Sequence, residues 1–344
     1  MEDSSATTIC KASDSSKVAP PGWTSFRSIL FGLIIGGVFL FLAFRETSFS
    51  GFVETLQTAN RRYIFAGIGL YGLYLLARSS RWSLLLAERT STRPFAVLLR
   101  AVTWGTAANT IIPHSGEILR TFVVREPLNI SAASILGAIA AERFYDFLTV
   151  IVLTGATLLF FNGSPIILQA ALLTICAMGF VVMIGLALLG FKVPIVIRMI
   201  DLMTKLLPKR FEGAAHRLVN ELSKGIRAAF SNRHLVWIGV LSLLQWLCIT
   251  GCIYLSIESF QLGLSPWVAF IVLPLTIAGL TLPTAPIYLG TIQVCFLASL
   301  VPFGASNEQA LAASVAYISI ITLPVIAVSI SWYLMYILIR KSVL

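Results

Sequence analysis

Hydrophobic positions along this chain fall in long runs. Ser28–Phe44, Tyr63–Ala77, Pro165–Phe191, Leu235–Ile257 and Ala310–Ile339 contain no charged residue. A helix rises about 1.5 Å per residue, so runs of about 20 residues match the hydrocarbon thickness of a bilayer. A sixth run, Ile130–Phe161, is apolar except for Glu142, Arg143 and Asp146. Two further stretches, Phe95 to Glu117 and Trp267–Val301, are apolar but broken by proline and small residues. The pattern predicts an all-α, polytopic integral membrane protein with about six full spans. The two broken stretches are expected to be re-entrant hairpins, tolerated at membrane depth only where protein or water covers their backbone.

The polar segments between runs predict orientation. Lys192–Arg233 holds nine basic residues against three acidic ones, and the positive-inside rule places it in the cytoplasm. Arg78–Arg93 and the C-terminal Arg340-Lys341 fit the same side, whereas Arg45, Arg61 and Arg62 fall on the outer side against the rule. Both termini are expected inside, in a cytoplasmic (inner) membrane. Broken hairpins then enter from opposite faces, a pattern of inverted repeats in transporters that bind near the midplane. Residues 1–27, rich in Ser and Thr, read as a disordered cytoplasmic tail, and 28–344 as one membrane domain. Within 192–234, Phe211, Ala215, Leu218, Leu222 and Ala229 recur at helical spacing beside Arg210, Arg217 and Lys224. They predict a basic amphipathic helix at the membrane surface. A solvated helix packed on the rest of the protein is the alternative.

Composition sharpens this picture in two ways. Charged residues make up 12% of the 344 and hydrophobic ones 57%, with a mean hydropathy of +0.89, whereas soluble domains carry roughly 25% charged residues. The net charge of +10 could suggest nucleic acid, but the basic residues flank the apolar runs, so anionic lipid headgroups are the expected partners. Cys176, Cys248, Cys252 and Cys295 sit inside apolar runs and read as buried structural thiols; neither a metal nor a cofactor is expected.

The candidate chemistry lies in the charges that enter the apolar runs. A charged side chain at the bilayer centre costs roughly 2.5–3.5 kcal/mol on insertion scales, so several together need a reason. On a helix Glu142, Arg143 and Asp146 share one patch, with Arg143 and Asp146 paired at i,i+3. Glu117 and Arg120 are expected to make a similar pair just after the first broken stretch, and Arg100 lies within it. Either these are self-compensating pairs that join helices, or they line a hydrated cavity that holds a polar headgroup while the tails stay in lipid. Two pairs beside a Pro-Gly break favour the cavity. Arginine suits a lipid phosphate because its planar fork can hold two oxygens. Carboxylates suit a cationic group or a coupling proton. His114 adjoins the cluster, although a lone histidine more often caps a turn.

Three motifs in order carry a family resemblance. They are Arg78-Ser79-Ser80-Arg81-Trp82, then Asn109-Thr110-Ile111-Ile112-Pro113-His114-Ser115-Gly116-Glu117 with Arg120, then Glu142-Arg143 with Asp146. From about Tyr63 to Ile339 the chain resembles the lysylphosphatidylglycerol synthase transmembrane-region family, which includes the flippase half of the bacterial multiple peptide resistance factor. The resemblance implies a lipid flippase or transporter acting on a phospholipid-like, polyprenyl or hopanoid lipid. The chain is expected to stand alone, without the aminoacyl-transfer domain of the resistance factor. Arg120 and Arg143 are expected on phosphate, Glu117, Glu142 and Asp146 as partners or proton carriers, and Pro113, Gly116, Pro283 and Gly290 as hairpin breaks. Asn109, His114, Pro286 and Gln293 complete the expected substrate-binding set.

The second broken stretch departs from the family. Relatives there resemble Pro-x-x-Pro-Gly-Gly-x-Gly with a glutamate three residues on; this chain has Ile287 and Tyr288 in place of two glycines and Gln293 in place of the acid. The loss of glycine removes left-handed freedom, and the loss of the carboxylate makes a cationic headgroup less expected. Competing readings are a membrane-embedded lipid-modifying enzyme and a non-transporting scaffold for a glycosyltransferase. Against an enzyme, the chain has no His-Glu-x-x-His, no Gly-x-Ser-x-Gly and no paired aspartates in separate spans. No nucleotide-binding motif is present either.

Overall fold

The computed structural model describes residues 24–86, 94–113, 115–161, 163–205, 233–281 and 285–342, together with 213, 216, 219, 220 and 222–227. These residues are helical throughout, with short breaks. The N-terminal half comprises α1 (Thr24–Phe44), α2 (Phe49–Gln57), α3 (Arg61–Leu85), α4 (Phe95–Ile111), α5 (Gly116–Arg125) and α6 (Ala132–Phe160). Then come α7 (Ile166–Gly190), α8 (Pro194–Lys205), α9 (Leu235–Glu258), α10 (Trp267–Leu280), a 3-10 turn at Pro286–Tyr288, α11 (Thr291–Leu300) and α12 (Asn307–Ser342). The protein is an all-α polytopic membrane protein.

Among the described residues, four segments are long and apolar enough to cross a bilayer: Ile166–Gly190, Leu235–Glu258, Pro286–Phe303 and Asn307–Met335. A fifth is Gly32–Phe44 with Phe49–Gln57, joined across an 87° bend. Helices α3 and α6, 25 and 29 residues long, extend about 37 and 43 Å and carry the charges considered below. One boundary differs from the sequence reading. Residues 24–27, expected in the tail, already form the first turn of α1; the remainder of that tail lies outside the described residues.

Local chemistry explains where the helices start. Asn60 caps α3 by accepting from the Arg62 N–H at 3.1 Å, and Ser131 caps α6 by accepting from the Ser134 N–H at 3.1 Å. Pro165 precedes α7, and Gly304 (φ 94°) takes the left-handed position before α12.

Helix α3 packs most extensively against α9, and these two form the centre of the molecule. Each is followed by a helix–break–helix unit, α4 with α5 and α10 with α11, and then by a long helix, α6 and α12. Helix α4 packs on α12, and α10 packs on α6. Helix α7 leans on α6 and α10 at the periphery, with few of its residues fully buried. Helix α8 exposes Met199 and Leu202 on one face. Of the amphipathic segment expected around 210–229, Leu222 and Lys224 are described and helical, whereas Arg210, Phe211, Ala215, Arg217, Leu218 and Ala229 lie outside the described residues.

Candidate functional site

Three helices deliver ionised side chains to one point, and a fourth adds neutral polar partners. Helix α3 supplies Arg78 and Arg81, α5 supplies Glu117 and Arg120, α6 supplies Glu142, Arg143 and Asp146, and α9 adds Ser242, Gln245 and Trp246. Glu142 is the centre, with its side chain 1% exposed. Its Oε1 accepts from Arg78 Nε at 3.2 Å and Nη2 at 2.8 Å and lies 3.4 Å from Arg81 Nη2. Its Oε2 accepts from Arg120 Nη2 at 2.7 Å. An ionised carboxylate this deep needs several charge-assisted donors to replace water, and three arginines supply them.

Asp146 forms a second node one turn along α6. Its Oδ1 accepts from Arg81 Nη1 and Gln245 Nε2, both at 2.8 Å, and from Trp246 Nε1 at 3.2 Å. Its Oδ2 accepts from Arg143 Nη1 at 3.3 Å. Arg143 also donates through Nη2 to Glu117 Oε1 at 2.6 Å. This last pair is the open edge of the network, with Arg143 39% and Glu117 24% exposed. Four guanidiniums therefore meet three carboxylates, which leaves an excess of one positive charge.

Aromatic rings support the buried cations. Arg120 lies over the Trp82 ring at 4.0 Å, and Arg78 donates to the Tyr74 hydroxyl at 2.6 Å. The crossing of α4 and α5 makes room for Arg120. A Cβ on Gly105 would stand 2.5 Å from Arg120 Cγ, and one on Gly116 would overlap the Gly105 carbonyl oxygen. Asn109 Oδ1 accepts from the Gly116 N–H at 2.6 Å and so satisfies the first donor of α5 across the Pro113 break.

The structure bears on each expected residue in turn. Arg143 pairs with Asp146 as the i,i+3 spacing predicts. The expected Glu117–Arg120 pair is not what forms: Arg120 turns to the buried Glu142 and Glu117 to Arg143. The local pair gives way because Glu142, sealed from solvent, gains more from each donor than the partly exposed Glu117 does. Glu117, Arg120, Glu142, Arg143 and Asp146 form one network, with Asn109 and Gly116 building the adjacent turn. His114 and Pro283 lie outside the described residues.

The expected residues of the second unit do other work. Pro286 opens the 3-10 turn, and Gln293 Oε1 accepts from the Gly290 N–H at 2.8 Å. Gly290 (φ 84°) sits where a Cβ would overlap the Gly36 carbonyl oxygen of α1, so this turn is built by close backbone approach.

Sequence reasoning left Arg78, Arg81, Trp82, Gly105 and Gln245 off the candidate set. The signal for the first two was present in the quoted Arg-x-x-Arg, two cations one turn apart at the end of an apolar run.

Comparison with known families decides the lineage. The family described as lysylphosphatidylglycerol synthase TM region matches residues 29–329. The chain belongs to this family. The match takes in α3 to α11 entire and so contains every residue of the charged network. The family is a membrane domain associated with lipid flippase-like function. No curated protein matches the chain at a significant level.

Proposed function

We propose that this protein moves a lipid between leaflets, holding the headgroup at the charged network and leaving the lipid covalently unchanged. The carrying observation is the open edge of that network. Arg143 and Glu117 are partly exposed, while Arg81, Arg120 and Glu142 behind them are sealed. A headgroup site requires an open side, and this edge provides one. An apolar groove of about 460 Å³ lies among α3, α4 and α12, lined by Gly69, Gly72, Leu76, Leu99 and Trp332, on the turns of α3 before Arg78. It suits an acyl or prenyl chain.

The packing supports an inverted repeat. Exchanging α3 to α6 with α9 to α12 maps α4 on α12 onto α10 on α6, and α3 on α12 onto α9 on α6; all four contacts are made. On this reading both units are re-entrant hairpins from opposite faces, with the binding point between halves. Both termini face the cytoplasm of an inner membrane, and the basic segment 192–234 meets anionic headgroups there. The lipid is phospholipid-like, polyprenyl or hopanoid, and its movement needs no bound cofactor.

Reconstitution tests this reading. Vesicles carrying a headgroup-labelled phospholipid are treated with an impermeant quencher, and the protein should make inner-leaflet label accessible. Arg143→Gln should slow that exposure about tenfold, the equivalent of one charge-assisted contact. Quenching identical to that of protein-free vesicles would sink the proposal.

A further inference from the structure

Arg100 stands apart from the network. It lies in the second turn of α4, half-buried, and among the described residues no carboxylate comes within ion-pair distance of it. Arg78, Arg81, Arg120 and Arg143, by contrast, are each matched to a carboxylate. The Arg100 guanidinium rests over the Trp104 ring at 5.5 Å. Side chains on a helix lean toward its N-terminus, so Trp104 reaches back one turn to carry the cation.

The two ends of this guanidinium meet different surroundings. Its Nε is sealed from solvent without a partner, as is the Trp104 Nε1. The two terminal nitrogens are accessible, and among the described residues they make no hydrogen bond. Stacking thus holds the group in place while its fork stays free. A free guanidinium fork matches two oxygens of one phosphate.

Depth and neighbours say which phosphate. Arg100 is five residues beyond Phe95, where both α4 and its apolar run begin, or about 8 Å along the helix axis. Leu99 and Thr103 of α4 form one wall of the groove of about 460 Å³, with Gly69 and Gly72 of α3 in another. At 100° per residue, Arg100 stands about 60° from Thr103 around the helix. The cation therefore flanks the groove, and a chain lying in it can leave its headgroup beside the free fork.

We infer that Arg100, carried on Trp104, holds the phosphate of a net-anionic phospholipid whose chain lies in the groove among α3, α4 and α12. An unpaired cation favours such a lipid over a zwitterion, whose cationic group it repels. The inference rests on the groove holding a chain, as read above, and not on a headgroup at Glu142.

Native mass spectrometry of the full chain tests it, after equilibration in micelles with equal phosphatidylglycerol and phosphatidylcholine of identical chains. Wild type should retain phosphatidylglycerol about tenfold over phosphatidylcholine, the equivalent of one charge-assisted contact. Arg100→Gln should remove that preference, and Arg143→Gln should keep it. Because Arg100 pairs with no carboxylate, Arg100→Gln should melt with wild type in lipid-free detergent. If it melts lower, Arg100→Lys decides: a preference cut about threefold supports the fork, and a full one overturns it. Preference surviving in Arg100→Gln but lost in Arg143→Gln would put the phosphate in the network and overturn the inference alone. Loss in both would merge the two positions and overturn the separate site. Equal retention of both lipids by wild type would overturn the charge assignment. Displacement of the lipid by millimolar inorganic phosphate would assign the fork to a soluble anion instead.

Discussion

The α4–α5 and α10–α11 units share an architecture and differ in what holds it. In both, a side-chain amide oxygen accepts the N–H of the glycine at the break, Asn109 for Gly116 and Gln293 for Gly290. In both, that glycine allows backbone contact closer than any Cβ permits. The first unit then spends its polar residues on ion pairs, through Glu117 and Arg120. The second has no charged residue between Trp267 and Phe303 and is held by close packing and a strained turn. The first unit is thus stabilised by electrostatics and the second by shape.

The contrast can be broken most forcefully at Glu142. Glu142→Gln leaves Arg78, Arg81 and Arg120 buried without their shared counter-ion, which should cost about 3–5 kcal/mol. Thermal unfolding in detergent reads this, and a loss under about 1 kcal/mol would show that the network does not hold the first unit. The glycines sharpen the comparison next. Gly116→Ala introduces overlap alone and should cost about 1–3 kcal/mol. Gly290→Ala adds the left-handed penalty of about 1–2 kcal/mol, so it should be the more damaging of the two. The reverse order would mean that the first crossing is the tighter. The smallest effect is expected at Ile287→Gly, which relieves the strained φ at some cost in chain entropy. Stability should rise by up to about 1 kcal/mol. A fall would show that the exposed isoleucine packs on something the turn needs.

Much of the first unit was legible in the sequence, because charges inside apolar runs are conspicuous. Glu142, Arg143 and Asp146 stand out against Ile130–Phe161 for that reason, and the Asn-Pro-Gly order marks the turn. Arg78 and Arg81 were harder to place as site residues. An arginine near the end of a span ordinarily reaches for the interface, and what draws these two inward is a carboxylate 64 residues away for Arg78. The Glu117–Arg120 spacing misled for a related reason, since helical proximity sets who can meet and burial sets who does. Gly105 and Gln245 carry no sequence signal, because each is an ordinary residue made important by a neighbour from another helix. At Gln293 the missing acid was visible, but its local task of holding the Gly290 N–H depends on a turn geometry that spacing does not encode.

The ion network also constrains how the chain is made. Arg78 and Arg81 belong to α3 and emerge from the ribosome well before their partner Glu142 in α6, while Gln245 and Trp246 arrive later still. Until α6 is made these arginines lack the carboxylates that hold them, and an arginine left unpaired within a bilayer costs roughly 2.5–3.5 kcal/mol. Docking of α3 into the bundle is therefore completed only when α6 brings Glu142 and Asp146. Helix α9 then closes the remaining valences of Asp146. Assembly is ordered by charge, and a chain truncated before α6 should leave α3 poorly docked.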